Sequence, residues 1–192
     1  MSSAAASINS GNCEVRRSLT VEARRTLATA FVATQVNYCN AVFYGVTTQV
    51  TCRLRMVLNA AARLIVGAGK FDCITPVLRD ILHWLPVPQR IQFKGASATY
   101  DCVHGTGPAY FKDVCTLVID IADRSNLRSA QYGDMFVPRT RTEFGRRSFH
   151  MAAPAVWNAL PSHLRSTTIS CGQFRAGLKT YLFNLAFYTD SL

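Results

Sequence analysis

The chain is poor in acid. Eleven Asp and Glu stand against 21 Lys and Arg, and no two aspartates neighbour each other as two-metal phosphoryl chemistry needs. It has no continuous apolar run near the roughly 18 to 20 residues of a membrane span. Met1 to Asn12 is rich in Ser and Ala and has no basic stretch leading into an apolar one, so no secretory signal is read. Arg16, Arg17, Arg24 and Arg25 lend the N-terminus only weak transit-peptide character. A Walker phosphate loop is missing, and Gly67-Ala68-Gly69 is too little for a dinucleotide fingerprint. Neither Cys-x-x-Cys nor His-Glu-x-x-His occurs. No cofactor, metal, membrane or small-molecule substrate is therefore expected.

What is there amounts to 192 residues, 49% hydrophobic and 10% aromatic, enough to exclude a wholly disordered chain. Folding at this size buries roughly 70% of the unfolded surface, so a core is possible without disulfides. The seven cysteines (Cys13, Cys39, Cys52, Cys73, Cys102, Cys115, Cys171) are odd in number and widely spaced. With no signal visible, they read as reduced thiols of an intracellular protein, nuclear or cytoplasmic.

The net charge of +10 is unevenly laid out. Basic side chains dominate residues 14–63 and again 124–179, where nine of them face only Asp134 and Glu143. The stretch between is close to neutral. Four of the 21 cations are Lys and the rest Arg. Arg forks onto phosphate and stacks on rings, which suits nucleic acid better than generic solubility. From charge alone, a solvated positive face or Arg-rich codon usage is an equally good account.

The periodicity predicts a mainly α fold: a helical hairpin, further short helices, an irregular Arg-rich segment and at most minor β. Residues 1–13 form a leader, 14–66 the hairpin, 67–123 a helical middle segment, 124–187 the basic segment with the C-terminal helices, and 188–192 a tail. Ser18 or Thr20 caps the first helix, whose stripe is Leu27, Phe31, Thr34 and Tyr38, with Gly45 past its end. Val50, Leu54, Val57, Leu58, Ala61 and Ile65 stripe the second, which closes at Gly67 and Gly69. Thr75-Pro76 opens a short helix to about His83, and Pro88 opens another through about Val103. Leu117-Val118-Ile119 is strand-like, and Met135-Phe136-Val137 a short edge strand before Pro138. Helix returns near Ser148 to Leu160 with Pro154 as a kink or new first turn. Ser170 and Gln173 make a capping box ahead of the stripe Phe174, Leu178, Leu182 and Leu185.

Single chemical side chains read as structural. His83, between Leu82 and Trp84, and His150, beside Met151, are expected to be packed or backbone-bonded. Trp84 and Trp157 are expected in core packing. Cys102, His104 and Cys115 fit no standard zinc spacing. The candidate working surface is Pro138 to Phe149, which sets Arg139, Arg141, Arg146 and Arg147 among hydroxyls and two Phe around Gly145. The Arg are assigned to backbone phosphates, with Phe144 or Phe149 able to stack on an unpaired base and Phe149 also a core anchor. Arg124, Arg128, Arg16, Arg17, Arg24 and Arg25 complete the candidate nucleic-acid-binding set.

Several segments resemble one family in order. Val36-Asn37-Tyr38-Cys39-Asn40 with Phe43-Tyr44-Gly45 resembles the LDYCNSLLYG signature near the end of reverse transcriptases from non-LTR retrotransposons of the jockey and chicken-repeat type. Asn59-Ala60-Ala61-Ala62-Arg63-Leu64 is similar to that family's QNAAARL segment. Ile74-Thr75-Pro76-Val77-Leu78, then Leu82-His83-Trp84-Leu85-Pro86-Val87 and Arg90-Ile91-Gln92-Phe93-Lys94, resemble its ITPVL, LHWLPV and RIxFK blocks. Leu127-Arg128-Ser129, Val137 to Arg141, Phe144 to Phe149, Ala152 to Pro161, Phe174-Arg175 and Leu178-Lys179-Thr180 follow.

The resemblance spans about residues 14–187 and implies the region after the polymerase palm, a thumb-like and connecting helical region that holds template and primer. It implies RNA or DNA as partner, and an intact retrotransposon polymerase acting in trans as a second. The Tyr-Ala-Asp-Asp type palm motif and the endonuclease are absent, Cys73 replaces a family His, and Val36-Asn37 replace Leu-Asp. The leader from Met1 is also unlike the family's. Polymerase activity is therefore not carried over: the chain alone is expected to hold nucleic acid without catalysis, as a truncated element. The alternative is a non-functional structural product of a decayed element.

Overall fold

A computed structural model describes residues 19–38, 40–111, 114–123, 125–128, 132–166 and 168–188. The protein is mainly helical, and among the described residues the only β pairing is a single antiparallel bridge. No helix among them is long and apolar enough to cross a membrane. The chain divides into two units, one of residues 1–38 and 48–85, the other of 39–47 and 86–192. Residues 67–85 thus join the first two helices, while 86–123 go with the C-terminal ones.

In the first unit Thr20 caps α1 (Val21–Leu27), its hydroxyl accepting from the Ala23 N–H at 3.2 Å. The helix runs on through π-helical turns (Ala28–Ala33) into α2 (Thr34–Asn37). A π turn bonds i to i+5 and so advances the face by one residue. The expected stripe is off the buried face already at Leu27, and the π turns then set the buried residues at spacings of five and three. Ala28, Ala33 and Val36 are buried, whereas Leu27, Phe31 and Tyr38 are exposed, Phe31 by 69% and Tyr38 by 74%. The segment also ends at Asn37 rather than running to Gly45, which takes φ +69° in a later turn.

Residues 21–37 pack along α3 (Thr48–Val66). The small side chains Ala28, Ala61 and Ala62 let the backbones approach, and Ile65, Ile74 and Leu82 complete the core with Trp84 half-buried beside it. Val57, placed in the expected stripe, is exposed. Gly67 ends α3 as read from sequence, at φ +76°, with its N–H on the Arg63 carbonyl. A π-helical turn (Val77–Ile81) follows. His83 is exposed at φ +50°, which sets aside the packed alternative of its reading and leaves the backbone-bonded one.

In the second unit α4 (Val87–Val103) is central, with Pro88 in its first turn as expected. It packs against a 3-10 turn (Asn40–Phe43), α6 (Phe149–Asn158) and α7 (Cys171–Phe187), which are introduced here with the four-residue α5 (Glu143–Arg146). Ile91, Ala96, Ala153, Val156, Trp157, Phe174, Leu178 and Leu182 form the buried centre. Aromatic rings stack through it: His104 on Tyr100 at 3.8 Å and Tyr100 on Phe174 at 4.4 Å. Pro154 is buried inside α6, and the Ser170–Gln173 capping box starts α7. Leu185, the last residue of the expected stripe, is 39% exposed.

The expected strands shrink to the Leu117–Met135 bridge, beyond which Val118–Asp120 turn into a 3-10 helix. A tertiary contact completes the pairing. The Asn158 carboxamide accepts from the Met135 N–H at 2.8 Å and donates to its carbonyl at 2.9 Å, taking the place of a neighbouring strand. Trp157 Nε1–H donates to the Gly133 carbonyl at 2.9 Å.

Candidate nucleic-acid interface

Residues 136–140 lead out of the Met135 bridge with no regular structure. The chain then folds tightly on itself: the Gly145 N–H donates to Thr142 Oγ1 at 3.0 Å and the Ser148 hydroxyl to the Gly145 carbonyl at 2.7 Å. A Cβ on Gly145 would lie 3.0 Å from Thr142 Oγ1 and 3.2 Å from Thr140 Cβ. Glycine is thus needed here for a close approach, not as a hinge. The hydroxyls of this stretch are partly spent on the turn.

Arg139, Arg141, Arg146 and Arg147 are all exposed, as is Arg128. The Arg147 stem runs beside the Gly45 turn, its Cγ 3.4 Å from where a Gly45 Cβ would be. Arg165 and Arg175 are engaged, the first with Asp134 and the second with Asp101 at 3.3 Å. Burial holds the Arg165 guanidinium below its usual range and brings that of Arg90 down to about 10. Asp134, one of the two acids in the basic stretch, is thereby neutralised.

The N-terminal candidates lie in the first unit, the C-terminal ones in the second. Arg25 is exposed, whereas Arg24 turns inward and donates from Nη1 to the Leu64 carbonyl at 3.3 Å. Arg16, Arg17 and Arg124, and the side chain of Phe144, lie outside the described residues.

The aromatic part differs from the sequence reading. Phe149 is half-buried and tilted against Phe111 at 4.5 Å, and Phe111 in turn meets Tyr110 at 4.4 Å. Tyr110 is 73% exposed and is the ring of this cluster that faces solvent. Sequence reasoning missed it, because it is tied to the Arg-rich segment only through the tertiary contact of Phe111 with Phe149. Its one local signal was an aromatic pair just after the Gly-Pro turn.

The remaining chemistry is sparse. Among the described residues no three of His, Cys, Asp and Glu gather where they could hold a metal ion. Trp157 is fully buried, in keeping with the core role read for it. Models of protein families, curated proteins and solved structures were compared with the chain, and none matches it.

Proposed function

We propose that the chain is a helical nucleic-acid-holding module without catalysis of its own, related to the post-palm region of reverse transcriptases that its motifs resemble. One observation carries this reading. Four exposed Arg lie within Arg139 to Arg147, and the segment runs on into Phe149, which packs on Phe111 beside the solvent-facing ring of Tyr110. Guanidinium groups suit phosphate oxygens, and an exposed phenol ring offers a stacking face for an unpaired base. The reading therefore favours single-stranded RNA or DNA, with the Arg setting affinity and Tyr110 the preference for unpaired bases. An intact polymerase of the same family would be the partner that supplies chemistry.

The test is binding of labelled single-stranded RNA and of a matching DNA duplex, titrated from low to physiological salt. Replacing Arg139, Arg141, Arg146 and Arg147 by Ala should flatten the slope of log K against log salt by about three, because each lost phosphate contact removes roughly 0.7 to 0.9. Tyr110→Ala should weaken single-strand binding by about tenfold or more with the slope unchanged. An unaltered slope in the fourfold variant would sink the assignment.

The second reading, an inactive product of a decayed element, is favoured by a different observation. The first unit leaves an apolar groove of about 410 Å³ open, lined by Leu27, Phe31, Val32, Val57 and Leu64. A surface of this kind is a self-association hazard in a chain without its original context. Absence of salt-dependent binding from a monodisperse sample would make that reading the better one.

A further inference from the structure

The loop after α4 folds back on the helix end. Both Thr106 and Gly107 donate their N–H to the Asp101 carbonyl, at 2.9 and 2.8 Å. Gly107 lies so close to Cys102 that a Cβ there would sit 3.0 Å from Sγ and 3.1 Å from the Cys102 backbone. This closure sets Cys102 and Cys115 on the wall of one cavity, where each thiol acts on the other's ionisation. Both are half-buried free thiols lining one cavity of about 480 Å³, together with Val103, Gly107, Leu117 and Asp120. By contrast Cys171 hydrogen-bonds Asp101, and Cys52 and Cys73 belong to the first unit.

We propose that Cys102 and Cys115 form a paired-thiol modification site that exchanges with a low-molecular-weight disulfide and closes to an intramolecular Cys102–Cys115 disulfide. One thiol gives up its proton, and its sulfur attacks the small disulfide. One half of the reagent leaves as thiolate and takes up that proton. The second protein sulfur, deprotonated in turn, displaces the other half from the mixed disulfide. Two protein thiols are oxidised and one small disulfide is reduced to two thiols, so atoms and electrons balance.

Burial pushes both protein thiols up, Cys115 to about 12. Thiolate is therefore scarce at neutral pH and exchange accelerates as pH rises. The same high-pKa thiolates are poor leaving groups, so the bond once formed resists reduction.

The full chain is incubated with oxidised glutathione at about pH 8.5, near an ordinary thiol pKa. It is then alkylated, digested and read by mass spectrometry. The Cys102–Cys115 linked peptide should exceed any other pairing by about tenfold, since the neighbouring thiol outcompetes distant ones, and dithiothreitol should reverse it. Lasting glutathione adducts at either residue, or indiscriminate pairing among the cysteines, would overturn the proposal. Phenylarsine oxide gives a second readout without an oxidant, because it bridges two adjacent thiols with release of one water. It should shield Cys102 and Cys115 together from alkylation in the native chain, and Cys115→Ser should expose Cys102. Shielding of one residue without the other in the native chain would equally overturn the pairing.

Discussion

Asn158 bonds both sides of one backbone residue 23 positions away. Its carboxamide satisfies both backbone groups of Met135, which is 2% exposed and among the described residues has no second strand beside it. A buried backbone group left unpaired costs about 1 to 3 kcal/mol. Asn158→Ala should therefore destabilise the protein by roughly 2 kcal/mol in urea unfolding. Asn158→Asp should recover only the accepting half. A loss within error of zero would mean that water replaces the amide. Nothing in the sequence near Asn158 announced this role, because its partner lies far along the chain and is met only when α6 packs. Tyr110 is the same kind of case. The Arg of 139–147 were legible as charge, while the ring that completes the candidate site was not.

Helix starts and stops were the most legible features at the scale of elements. Thr20, Pro88, Gly67 and the Ser170–Gln173 pair act within one turn, so their chemistry is written in neighbouring residues. At α7, Ser170 Oγ accepts from the Gln173 N–H at 3.3 Å and Gln173 Oε1 accepts from the Ser170 N–H at 3.0 Å. Ser170→Ala should cost about 1 kcal/mol in chemical denaturation, with Ser170→Gly losing less. A neutral Ser170→Ala would show that α7 is held by its buried Phe174, Leu178 and Leu182 alone. Faces were less legible than ends. A stripe projected at 3.6 residues per turn cannot carry across the π turns of residues 28–33, since one extra residue in the turn rotates everything after it, and this stripe started off the buried face at Leu27. The strand-like runs at 117 and 135 do pair, but only once: a single bridge and an amide satisfied the backbone without a ladder.

For the whole molecule, the excess of cations sets partner class more than fold. The same chain carries exposed apolar side chains on its first unit, Phe31 at 69% and Val57 at 49% among them. If that groove is as open as its lining implies, a hydrophobic dye should light up on the native protein. Phe31→Ser together with Val57→Ser should then roughly halve the dye signal while leaving the melting temperature close to its original value, as removal of exposed apolar area predicts. A signal that survives both changes would place the sticky surface elsewhere. This separates the two functional readings, because a clean monomer after the double change can be assayed for RNA binding free of aggregation.

The sequence by itself determined the helical class, the caps and the location of positive charge, all of which depend on residue type or on neighbours within a turn. Only the tertiary structure decided which helix faces are buried and which Arg are drawn into pairs with Asp134 and Asp101. It also decided that Cys102 and Cys115 line one cavity. Such contacts join residues separated by long stretches of chain, and their formation depends on how packed helices bring distant backbone together rather than on any local preference.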